Sequence, residues 1–222
     1  MDTANRRPRP QRSLILLLGS IVLAGCALAG RPAAPPVATY VLERADSGSP
    51  RQAATNGATL RVSIPVAAPE FGSSRMAYVE QPYRIDYFAQ HAWADSPARM
   101  LKPLLTQHLA ESGLFQFVFA DAAGVDETLR LDSNILELAQ WFTPSSSEIR
   151  LTMRFDLIDV ARRTILLSQT ISITETAAER DPYAGVVATN RAVQRALDEL
   201  VTLLQATLTA FDTSSPAPTA VR

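Results

Sequence analysis

The order and spacing of apolar residues predict an α/β protein of the α+β type: a mixed, largely antiparallel sheet with two main helices packed on one face. Three observations carry this. Ile149, Leu151, Met153, Phe155 and Leu157 alternate with Glu148, Arg150, Thr152, Arg154 and Asp156, the two-residue period of a half-buried strand. Val186, Val193, Leu197, Leu200, Leu204, Leu208 and Phe211 recur at helical spacing, with Arg191, Arg195, Asp198 and Glu199 on the opposite side. The elements run strands, helix, strands, helix, an order that stacks helices over one sheet.

The N-terminus has its own pattern. Arg6, Arg7, Arg9 and Arg12 form a basic stretch, followed by an apolar run from Ser13 to Ala24. That run is too short for a permanent span, which needs about 20 apolar residues, and has the length of a signal-peptide core. Leu23-Ala24-Gly25-Cys26 follows, with small residues before the chain's only cysteine. It resembles the bacterial lipobox, which implies cleavage before Cys26 and a covalent diacylglycerol and acyl lipid on its thiol. A lone cysteine has no disulfide partner, and lipidation gives it a use. Ala27 after the cysteine implies, by resemblance to enterobacterial lipoproteins, an outer-membrane location facing the periplasm. Residues 27–37 are rich in Pro and Ala and read as a tether.

The domain elements follow in order. Tyr40-Val41-Leu42 is a short strand. Ser47 to Gly57, rich in Gly, Ser, Pro and Asn, is a loop. Leu60, Val62, Ile64 and Val66 alternate as one strand, with Pro65 near its end or at an edge. Arg75–Glu80 and Tyr83–Phe88, separated by Gln81-Pro82, read as a hairpin or bent strand pair. His91 and Trp93 fall in the loop after it. Asp95-Ser96-Pro97 starts a helix, with a capping side chain before proline. Met100, Leu101, Leu104, Leu105, His108 and Leu109 are its apolar stripe, Pro103 a kink, and Gly113 its end.

Leu114–Ala120 reads as a buried strand. Leu129, Leu131 and Ile135 share one strand face, Leu136, Leu138 and Phe142 the other, so the phase slips near Ile135 and predicts a β-bulge. With the strands around Met153 and Ile171 this region makes an antiparallel meander with one wet face. Asp181-Pro182 opens the last helix. These boundaries divide the chain into a signal peptide (1–25), a lipidated cysteine and tether (26–37), one globular domain (38–213) and a small, polar, Pro-containing tail (214–222).

Composition limits the function. A formal net charge of −1 gives no basic surface for nucleic acid. No Gly-rich phosphate loop and no Gly-x-Ser-x-Gly elbow occurs. Asp156 and Asp159 fall on opposite strand faces, a poor acid–base pair, and one cysteine excludes a thiolate metal site. The reading is a binding protein, without catalytic residues, metal or cofactor apart from the lipid on Cys26. Aromatic residues and arginines are enriched at interface hot spots. Tyr78, Tyr83, Tyr87 and Trp93, with Arg150 and Arg154 on the wet strand face, are therefore the candidates for a partner-binding surface; the other reading is that Trp93 fills the sheet–helix joint and that the two arginines are a plain solvent-exposed face.

Tyr78, Tyr83, Tyr87, Trp93, Ala94, Asp95 and Pro97 form a strand pair, then Trp-Ala-acid-x-Pro, then an amphipathic helix. This pattern resembles the ABC-type transport auxiliary lipoproteins, the PqiC-like group, over roughly Tyr40 to Phe211. The resemblance implies a non-enzymatic accessory component that accompanies an MCE-domain protein and an MlaE-type ABC permease complex moving lipids between the inner and outer membranes. It is compatible with a homo-oligomer. A second class fits the same residues: a structural outer-membrane biogenesis lipoprotein, a β-barrel plug or assembly partner.

Overall fold

The alternation of Ser147–Asp159 (β8) becomes the centre of the fold. In this computed structural model, residues 35–43, 57–121 and 126–214 are described. The expected signal peptide, Cys26, most of the tether, the loop around Ser47 and the tail after Ser214 lie outside them. β8 pairs antiparallel with Leu129–Phe142 (β7) on one side and with Thr164–Ala177 (β9) on the other. This is the expected meander. The phase slip is also real: the register shifts between Ile135 and Glu137, which leaves Leu136 as the extra residue of a bulge.

β7 is the spine of the sheet. Its free side is met in turn, in parallel, by Thr59–Val62 (β2), Val66–Ala67 (β3) and Arg75–Gln81 (β4). β4 forms a hairpin with Arg84–Trp93 (β5), and Ala38–Tyr40 (β1) adds in parallel to the end of β5. Phe117–Phe119 (β6) lies against β2.

Two helices cover one face. Pro97–Glu111 (α1) supplies Leu101, Leu105 and Leu109, and Pro182–Ser214 (α2) supplies Val193, Leu197, Leu200 and Leu204. They close on Leu131, Ile135, Leu151, Phe155 and Leu157 in one core. Asp181 Oδ1 accepts from Ala184 N–H at 2.8 Å and caps α2. Gly113, at φ 70°, ends the turn after α1 in the left-handed region.

Five local expectations are corrected. β1 ends at Tyr40, and Leu42 turns into the core beyond it. The alternating run from Leu60 is two strands, because the chain breaks at Ser63–Pro65, where proline has no N–H for the ladder. His91 and Trp93 lie in β5, not in a loop. Ser96 makes no side-chain cap to α1; the Asp95 carboxylate instead accepts from Ser96 N–H and Arg99 Nε, each at 2.7 Å. The strand after α1 is short and Phe117 is 58% exposed; Leu114 and Phe115 are buried in the turn before it.

The outer face is not wet throughout. Phe71, Ala77, Val79 and Ala139 form a second small cluster there, flanked by Ala68, Tyr87 and Trp141. A 3-10 turn at Pro69–Phe71 lies over it.

Candidate functional site

The turn of the β4–β5 hairpin is where the outer face becomes unusual. Pro82 and Tyr83 connect the strands, and Tyr83 adopts φ 68°, left-handed backbone that glycine or asparagine normally fills. Its side chain is fully exposed. Beneath it a groove of about 380 Å³ runs between the hairpin and the β7 bulge, lined by Phe71, Val79, Ile85, Leu136 and Trp141. Ile85 and Leu136 are exposed, 37% and 45%, so the groove presents apolar surface to solvent. The bulge sets Leu136 and Glu137 side by side on this face: regular alternation from the inward Ile135 would turn Glu137 back into the core and Leu138 out of it.

Trp141 is fixed at one wall. Its Nε1 donates to Glu137 Oε1 at 2.7 Å, and the Arg150 guanidinium lies 4.0 Å over its ring. Arg150 is held in turn by Glu148 at 2.7 Å. Arg84, paired with Asp86 at 2.8 Å, and Glu70 complete a rim of mixed charge. Tyr87 holds the roof: its hydroxyl donates to Glu70 O at 3.0 Å, with Arg75 3.7 Å over its ring. An apolar floor, an anchored tryptophan and a polar rim are the anatomy of a protein-docking patch.

The structure thus gathers Tyr83, Tyr87 and Arg150 on the outer face and separates the other assigned residues. Arg154 lies further along β8, pairing with Asp156 at 3.1 Å and donating to Ser168. Tyr78 points to the helix side, 4.6 Å from Phe88 and 6.0 Å from Phe142 between ring centroids. Trp93 is not on a partner surface: it is 5% exposed and fills the helix–sheet joint, the other reading of that residue. The β4–β5 register shifts between the Ala77–Tyr87 and Arg75–Ala92 pairs. That irregularity reverses the in–out phase, so Tyr87 faces outward and Trp93 inward. Trp141, Leu136 and Ile85 were not among the assigned residues. The phase slip at Ile135 was the signal that could have led to this wall, since it marks Leu136 and Glu137 as two neighbouring residues on the outer face.

The residues screened for catalysis have structural partners. His91 Nδ1 is 2.9 Å from Tyr40 Oη, and His108 Nε2 is 3.2 Å from Asp198 Oδ1. Asp159 is buried and held by Arg162, whose backbone N–H, more than any other group, keeps its carboxyl below the usual aspartate range. Among the described residues, no three His, Cys, Asp or Glu side chains gather as a metal site would require.

The class is thus an α+β domain whose outer sheet face carries an apolar groove. The sequence pattern of the family described as ABC-type transport auxiliary lipoprotein component matches residues 40–201, and the chain belongs to that family. Membership supports a lipid-anchored place in the cell envelope and association with an ABC-type transport system. In fold it is similar to the protein XCC0632 of Xanthomonas campestris, from family DUF330, with a TM-score of 0.68 at 17% identity, covering 79% of this chain and 99% of that one. A second, uncharacterised protein matches with a TM-score of 0.62 at 9% identity, covering 76% and 99% respectively. No curated protein sequence matches.

Proposed function

We propose that this protein is the periplasm-facing docking subunit of an MCE/MlaE-type ABC transport system that moves lipids between the inner and outer membranes, held by a lipid on Cys26. It acts by binding. The single observation that supports docking is the groove beneath Tyr83. A left-handed backbone costs a non-glycine residue about 1–2 kcal/mol. Such strain persists at sites where function holds it, and here it lifts an exposed tyrosine over an exposed apolar groove.

The test is an in-cell crosslink and pull-down of the lipidated protein, read by mass spectrometry. An MCE-domain protein or MlaE-type permease is expected in the eluate. Replacing Tyr83→Gly relaxes the turn and removes the ring, so the variant is expected to fold at least as stably and capture less of that partner. Recovery of β-barrel assembly proteins with no transporter subunit would sink the transport reading. Unchanged capture by Tyr83→Gly would sink the groove.

A further inference from the structure

The groove beneath Tyr83 carries a charge pattern as well as an apolar floor. The charged residues of its lining are Glu70, Arg84 and Glu137. Arg84 has a carboxylate of its own, Asp86 at 2.8 Å. Arg150, over the Trp141 wall, has Glu148 at 2.7 Å. Arg75 lies 3.7 Å over the Tyr87 ring, outside the lining. Glu70 is exposed, and Glu137 commits one oxygen, Oε1, to Trp141 Nε1. Among the described residues no cation pairs with either of these two glutamates. The paired guanidiniums are thus neutralised where they stand, and two carboxylates beside the apolar floor are not.

Size limits the occupant too. One turn of α-helix, about 5.4 Å long and 10 Å across, fills roughly 400 Å³. The groove measures about 380 Å³ and is open to solvent, so it takes side chains from a segment and leaves the backbone outside.

We infer that the groove selects a cationic partner segment: one or two large apolar side chains enter beneath Tyr83, and a lysine or arginine beside them meets Glu70 and Glu137. This rests on the reading of the groove as a docking site and names the chemistry that docks. The apolar anchor supplies most of the affinity, as at interface hot spots. Each carboxylate adds about two- to fivefold, the range of exposed ion pairs. Their larger effect is on choice of partner, because an acidic segment in the same place would set like charge against like.

The test reads the groove through its own tryptophan. The chain has two, Trp141 at the groove wall and Trp93 in the core, so 5-fluorotryptophan labelling gives two fluorine NMR signals, assigned through Trp141→Phe. The mature protein in phosphatidylcholine nanodiscs is titrated with two capped peptides, Lys-Leu-Phe-Lys and Glu-Leu-Phe-Glu. The lysine peptide is expected to shift the Trp141 signal and leave Trp93 in place, and to bind about tenfold more tightly than the glutamate peptide. Raised salt should narrow that gap. Glu70→Gln combined with Glu137→Gln keeps an acceptor for Trp141 Nε1 and removes both charges, and should bring the two peptides to about equal binding. Equal shifts from both peptides in the unaltered protein would overturn the inference and leave the docking reading standing. A Trp141 signal that neither peptide moves at millimolar concentration would overturn the inference and the groove together.

Discussion

Gly185 shows how one absent side chain joins strand to helix. A Cβ there would stand 2.3 Å from Gln140 Oε1 and 2.7 Å from its Cδ. Gln140 is buried and pinned, its Nε2 donating to Ser147 Oγ at 3.0 Å and to Asp181 O at 3.1 Å. Because Asp181 also caps α2, the amide ties the end of β7 to the start of that helix. Alanine favours a helix interior over glycine by about 1 kcal/mol. Overpacking a filled site costs about 1–3 kcal/mol, and here the obstacle cannot swing away without losing its bonds. Gly185→Ala is therefore expected to lower the urea midpoint. In a Gln140→Ala background the same change should cost nothing further. Losses that add in the double variant would show that Gln140 is not what Gly185 accommodates.

The contact between α2 and β9 carries the acid response of the fold. Among the described strands β9 pairs only with β8, so its far side is a sheet edge. Arg191 Nη2 donates to Thr176 O at 2.9 Å and Arg195 Nη1 to Thr174 O at 3.3 Å, so helix side chains occupy edge carbonyls. Between them the Arg195 hydrogen bond, against some opposition from burial, holds the Glu175 carboxyl below its ordinary value of 4.5. A carboxylate depressed in the folded state stabilises fully above the unfolded value, and loses that contribution as pH falls through the folded one. The melting temperature is thus expected to drop as pH falls below about 4.5, the unfolded glutamate value. Glu175→Gln should lower it at neutral pH and flatten that acid limb. Asp159 retains its own share of the slope, since its carboxyl is depressed too. An acid limb unchanged by Glu175→Gln would remove Glu175 from the account.

Elements like these differ in how openly a sequence displays them. β8 and α2 are legible because one face of each is buried along its length, so period alone reports them. The bulge at Leu136 is legible as a phase error. The parallel pairings of β1, β2, β3 and β4 are not, because pairing between distant segments leaves no local period. Trp93 was misplaced for a related reason: the irregularity between Tyr87 and Ala92 reverses the phase inside a run too short to show it. The groove was legible only in part. Tyr83 was visible as an aromatic at a turn, whereas Trp141 becomes a wall only when β4 is laid against β7.

On the scale of the whole molecule, β5 carries the chain from the groove to the core. Its first residue, Arg84, borders the groove, and its last, Trp93, is buried between sheet and helices. Nine steps of strand at about 3.3 Å each put roughly 30 Å between them. Changes this far apart with no shared partner act additively. Tyr83→Gly is therefore expected to reduce partner capture with the urea midpoint at or above its starting value. Trp93→Ala should do the reverse: a loss of about 3–5 kcal/mol from the emptied core site, read from the urea midpoint, with capture by the folded protein unaltered. The double variant should show both effects, each at its single-variant size. Lost capture in Trp93→Ala under conditions where it is folded would mean that the groove takes its shape from the core packing behind it.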